Sequence, residues 1–122
     1  MKEKAITIEN GTVTVPATED IWMTQHQIAD LFNVFVAKVN ANVRSILKNG
    51  VLDERKVCRT YTYKNGNSVD MHNMELITAL AFRIKSRNAD LFREYLMKQA
   101  LSQPDTRQIL FLSNGFGNAV LN

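Results

Sequence analysis

Cysteine is almost absent from this sequence: Cys58 is the single thiol among 122 residues. One thiol closes no disulfide within the chain, which excludes the stapled scaffold of small secreted domains and fits a reducing compartment. Proline and glycine are also scarce, at two and five residues, so the composition is neither fibrous nor disordered. No stretch approaches the roughly 18 apolar residues of a membrane span. The opening MKEKAITIENG lacks both the long apolar run and the small-residue cleavage site of a secretory signal. A cytoplasmic protein with no membrane partner is therefore expected. Catalytic signatures are missing too. There is no nucleophile elbow, phosphate loop or paired-carboxylate arrangement, and Gly115-Phe116-Gly117 is too short to cradle a nucleotide. His26 and His72 lie far apart without spaced thiol or carboxylate companions, so each reads as a surface or hydrogen-bonded histidine rather than a metal ligand. Neither an enzyme, a cofactor, a metal nor a small-molecule ligand is expected.

What is present is an ordinary globular composition, 45% hydrophobic and 22% charged, in a chain long enough for one domain with its own core. The net charge of +3 is small but unevenly placed. Residues 1–30 carry Lys2 and Lys4 against Glu3, Glu9, Glu19, Asp20 and Asp30, a net of −3. Residues 31–66 carry Lys38, Arg44, Lys48, Arg55, Lys56, Arg59 and Lys64 against Asp53 and Glu54, a net of +5. A charge run is ordinarily a solvated face, so its meaning depends on the elements that bear it.

Those elements are legible from turn and cap chemistry. Ala5–Glu9 and Thr12–Val15 alternate apolar and polar around Asn10-Gly11, the pair that a type I′ hairpin turn demands, and Pro16 ends the second strand. Thr24 and Gln27 form a capping box, Met23 is placed to staple onto Ile28, and Ile28, Ala29, Leu31 and Phe32 share one helical face. Asn33 tolerates the left-handed backbone of a sharp turn. Val36, Val39, Val43, Ile46 and Leu47 then repeat at helical steps up to Asn49-Gly50, with Gly50 suited to follow a helix end. A second hairpin is expected from Lys56 to Met71, its strands rich in β-branched and aromatic residues and its turn at Asn65-Gly66. Asn73 caps a third helix burying Leu76, Ile77, Leu80, Ala81 and Ile84, with Met71, Met74 and Met97 as core fillers and Cys58 as a small core residue. Ser86-Arg87-Asn88 is read as a break before a fourth helix over 89–101. The pattern divides the chain into a domain over 1–101 and a tail over 102–122, whose Ile109–Leu112 suits either a packed strand or a partner-binding segment.

The order of helix, turn, helix and hairpin matches an α+β winged helix-turn-helix with an N-terminal β-hairpin and two further C-terminal helices. In such a fold the first helix braces the DNA backbone and the second enters the major groove. Ala29 supplies the small residue at the helix crossing, and Asn33 supplies the turn. With Val39 and Val43 buried, a 100° step puts Ala37, Ala41, Arg44 and Lys48 on the outer face, with Lys38, Asn40 and Ser45 at its margins. Short residues permit close approach, while the Arg, Lys and Asn side chains carry donors for bases and phosphates. The hairpin then adds Lys56, Arg59 and Lys64 as a wing. Arg83, Lys85 and Arg87 suit either an extension of that surface or plain solvation.

Three stretches also carry a resemblance to a known family: MTQHQIADLFNV, then KNGVLDERKVCRTY, then HNMELITALAFRIKSRNADLFREYLMKQAL. Over roughly residues 20–101 the chain resembles the bacterial virulence-associated RhuM-like family, with Leu52-Asp53-Glu54, Val57-Cys58, Phe82-Arg83-Ile84…Ser86 and Leu91-Phe92-Arg93 at the characteristic places. The resemblance implies a DNA-binding protein of bacteria and mobile elements, such as a regulator of transcription carried by a prophage. The chain departs from the family at Asn33, where glycine is usual, and at Phe35-Val36, where polar residues are usual. Phe35 suits a contact with a thymine methyl, inward packing or a groove-reading role that has drifted, and inward packing is the expectation. The expected partner is double-stranded DNA, with a second copy of the chain as a candidate because one module covers few base pairs. A different expectation follows if Phe35, Val36 and the apolar tail face outward: a protein-interaction module that keeps the fold and reads no DNA.

Overall fold

The computed structural model describes residues 5–16 and 20–102; the tail beyond 102, including Ile109–Leu112, lies outside the described residues. The chain folds as a mixed α+β structure in the order β1 Thr7–Glu9, β2 Thr12–Thr14, β3 Trp22–Thr24, α1 Gln25–Phe32, α2 Val36–Lys48, α3 Glu54–Val57, β4 Cys58–Thr62, β5 Ser68–Asn73, α4 Met74–Ala81 and α5 Arg87–Leu101. β1 and β2 pair antiparallel with Ile8 opposite Val13, around Asn10 at φ 53° and Gly11 at φ 78°. Those are the two left-handed positions a type I′ turn requires.

The capping box forms as expected. The Thr24 hydroxyl accepts from the Gln27 amide at 3.1 Å, while Gln27 Oε1 accepts from the Thr24 amide at 2.8 Å. Asn33 ends α1 in the left-handed region at φ 59°. A three-residue turn, Asn33-Val34-Phe35, then redirects the chain into α2, which stops ahead of Gly50 at φ 76°. Asn73 caps α4 by accepting from the Leu76 amide at 3.1 Å.

Three expectations need correction, and one strand adds to them. Trp22–Thr24 is a strand, β3, pairing antiparallel with β5 so that β5 is the middle of a three-stranded sheet in the order β3-β5-β4. Three residues are too few for an alternation to show in sequence. Lys56 lies in α3 rather than in the hairpin strand, because Asp53 starts a helical turn by accepting from the Arg55 amide at 3.0 Å. The hairpin turn is longer than the Asn-Gly pair suggested. Tyr63 and Asn67 close a loop over 64–66 in which Gly66 takes φ 93° and Asn65 stays out of the left-handed region, its side chain accepting from the Asn67 amide. Finally, Ser86 is the N-cap of α5, accepting from the Ala89 amide at 3.1 Å, so Arg87 and Asn88 belong to the helix and the break falls at residues 82–85.

The core gathers from every helix and both sheets. Ile28 and Phe32 from α1, Val39 from α2, Leu76, Ile77, Leu80 and Ala81 from α4, Ile84, and Ala89 and Phe92 from α5 are fully shielded. Each large side chain removed from water in this way contributes about 1.5–3 kcal/mol. Phe32 and Phe92 meet at 5.8 Å with rings tilted 59°, joining α1 to α5. Helix ends inside the packing are satisfied by side chains. Asn88 donates to the Leu31 carbonyl at 2.8 Å, and Arg93 reaches the Ala81 and Ile84 carbonyls while pairing with Asp90. Carbonyls at a helix C-terminus have no partner within their own helix, so these contacts spare α1 and α4 a desolvation cost.

Candidate nucleic-acid interface

Helix α2 separates its faces cleanly. Val39, Val43 and Ile46 are buried, whereas Ala37, Lys38, Ala41, Arg44 and Lys48 are exposed. The outer face is therefore short at two positions and cationic at Arg44 and Lys48, as the periodicity predicted, and Lys38, expected at its margin, is exposed beside them. Asn40 and Ser45, at the margins, are half-buried and already engaged. Asn40 Nδ2 donates to Gln25 Oε1 at 3.1 Å, and the Ser45 hydroxyl accepts from Arg83 Nη1 at 2.8 Å. The second contact brings Arg83, from the segment after α4, to the flank of α2, which settles its placement beside that helix rather than apart from it.

The hairpin presents its cations differently. Lys56 is exposed on α3 and Lys64 at the loop tip. Arg59, on β4, holds its guanidinium over the Trp22 ring, 4.0 Å from its centre, and Trp22 Nε1 donates to Asp20 at 2.7 Å. In the register Arg59 faces Met71, and Met71 faces Thr24 of β3, so the arginine reaches across the middle strand. Stacking on an indole fixes the orientation of an otherwise mobile side chain. Tyr61 and Tyr63 follow on β4 and just beyond it, in edge-to-face contact at 5.0 Å and exposed.

Phe35 overturns its expectation. Its side chain is 86% exposed, the most exposed large hydrophobic among the described residues. The reason is positional: Phe35 is the N-cap of α2, with extended backbone at φ −75° and ψ 149°, outside the helical repeat that buries Val39. Val36, the next residue, is half-buried and packs against the core.

A chain of side-chain hydrogen bonds links α2 to the hairpin. Asn40 donates to Gln25 Oε1, Gln25 Nε2 lies 3.1 Å from His72 Nε2, and His72 Nδ1 lies 3.3 Å from Cys58 Sγ. With the Gln25 oxygen taken by Asn40, its amide nitrogen donates to His72 Nε2. That leaves the ring proton on Nδ1, where it is shared with the Cys58 sulfur. His72 is the one buried polar side chain among the described residues, and burial lowers its pKa, with Asp70 opposing weakly. A neutral imidazole suits both contacts. The absence of a thiol near His72 held only along the sequence; cross-strand pairing of Cys58 with His72 brings them together. Cys58 is half-buried rather than fully in the core, and desolvation, with Glu54 and Asp70 adding to it, pushes its pKa to about 11.

A reactive cysteine needs a depressed pKa, and this one is raised. Iodoacetamide should therefore label native Cys58 far more slowly than the urea-unfolded chain at pH 8, with the native rate climbing only as the pH nears 11. Equal rates in the two states would contradict the placement of the thiol. The stability linkage has the same origin. Below pH 9 the protonated thiol is common to folded and unfolded chains, and between about 9 and 11 only the unfolded chain ionises, so stability falls across that window.

Among the described residues no three His, Cys, Asp or Glu side chains gather as metal ligands, and no helix is long and apolar enough to cross a membrane. Comparison with family models, with curated proteins and with solved structures returned no match.

Proposed function

We propose that the chain is a DNA-binding module of the winged helix-turn-helix kind, related to the RhuM-like family it resembles and acting in transcriptional regulation. The observation that carries this reading is the outer face of α2, where Ala37 and Ala41 leave room for a groove and Lys38, Arg44 and Lys48 offer donors. α2 would be the helix that enters the major groove, and the β4–β5 hairpin, with Lys64 at its tip and Arg59 on its face, would be the wing. Lys56 would contact backbone phosphate from α3. Asn40 and Ser45 would position rather than read, since their side chains already serve Gln25 and Arg83. A protein-docking module would instead need Phe35 and Val36 to stand out together beside acidic residues. Val36 is turned to the core and the exposed flank of α2 is cationic, so that reading draws less support.

Binding of a fluorescent random duplex, followed by anisotropy across salt concentrations, tests the proposal. Each phosphate neutralised releases counterions and contributes about −0.9 to the slope of log affinity against log salt. Lys38, Arg44, Lys48, Lys56, Arg59 and Lys64 each meeting one phosphate would give a slope of roughly −5. A duplex affinity that is indifferent to salt would remove the reading.

A further inference from the structure

We propose that Phe35 reads thymine, by packing its ring against the C5-methyl group that thymine displays in the major groove. The inference rests on the DNA-binding reading above and gives it a base preference. Phe35 serves neither of the ordinary purposes of its position. A Ser, Thr, Asn or Asp at a helix N-cap stabilises the helix by about 1 kcal/mol through a side-chain hydrogen bond, and α2 has no such bond. An inward aromatic would gain from burial, and this ring is 86% exposed. The residue thus gives up both a cap and a core contact at the end of α2 where helix-turn-helix proteins present base-contacting side chains.

The neighbourhood selects the kind of contact. Phenylalanine has no donor or acceptor, so it can recognise only apolar or π surface, and the thymine methyl is the apolar feature of the major-groove edge. Lys38, one turn along, is exposed and able to hold the adjacent phosphate, and Ala37 leaves the approach open. A protein partner is a poorer occupant. A stable interface takes about 800 Å² per partner, and a phenylalanine supplies about 150–250 Å². Val51, the next most exposed apolar side chain among the described residues, follows the far end of α2, about 20 Å away at 1.5 Å per residue. The two do not make one patch.

The test begins with selection of preferred duplexes from a randomised pool by the full chain, followed by replacement of each thymine in the selected duplex with uracil. That exchange removes the methyl and preserves every hydrogen bond. At one thymine the change should weaken binding by roughly four- to tenfold, with the salt slope unchanged. Phe35→Ala, at an exposed position that the fold does not need, should bind the thymine and uracil duplexes alike, whereas Phe35→Leu should keep part of the preference. Tight, salt-dependent duplex binding with no thymine–uracil difference, or a difference that survives in Phe35→Ala, would overturn the assignment and leave DNA binding standing. No duplex binding at all would overturn both.

Discussion

Replacing Arg44 and Lys48 together by Ala should weaken duplex binding by about 2–4 kcal/mol and make the salt slope shallower by about 2. Both side chains stand on the exposed face of α2, two of its three cations, and each is assigned a contact with phosphate or base. Removing them should leave the fold alone. Alanine is the strongest helix former, and exposed substitutions usually change stability by less than about 0.5 kcal/mol. Lys48 sits in the last turn of α2, where a cation favours the helix dipole, so a further loss of about 0.3–1 kcal/mol of stability is the most to expect from that source. Lys98→Ala, on the last turn of α5, is the matched control and should keep nearly full affinity. A double variant that binds like the parent while Lys98→Ala does not would move the interface from α2 to α5.

Phe32→Ala should have the largest effect on the fold itself. The ring is fully buried at the end of α1 and contacts Phe92 of α5. Truncating a core phenylalanine costs about 3–5 kcal/mol, because apolar contact is lost and the surroundings fill the space only in part. Against the 5–15 kcal/mol of a typical domain, the variant should melt well below the parent and unfold in less urea with the slope of the transition unchanged. A double-mutant cycle with Phe92→Ala should show coupling of about 0.5–1.5 kcal/mol from the ring pair. A loss below 1 kcal/mol for Phe32→Ala alone would mean that α1 is not seated as described.

How far the sequence reaches depends on the distance over which each feature is decided. The capping box of Thr24 and Gln27, the left-handed Asn33, Gly50 after α2 and the Asn73 cap involve residues a few positions apart, and each stood where local chemistry required it. The outer face of α2 was legible for the same reason, since one helical period sorts its residues. Features decided by strand register were not. Cys58 meets His72 fourteen positions on, and Arg59 reaches over β5 to Trp22 on β3, a strand whose three residues carry no periodic signal. Phe35 escaped because a helical repeat says nothing about the residue just before it. Ser86 was misread since serine suits a helix start and a helix stop alike, and only the bond to the Ala89 amide distinguishes them.

The pairing of β3 with β5 has a mechanical consequence. Trp22–Thr24 runs straight into α1 at Gln25 and is at the same time stitched to the inner strand of the hairpin. The hairpin is consequently no independent arm: swinging it away would tear a three-residue ladder and pull on α1. Any surface that spans α2 and the hairpin is preassembled at a set gauge, so little ordering remains to be done on contact. On the proposed reading, duplex DNA would have to bring the matching spacing with it.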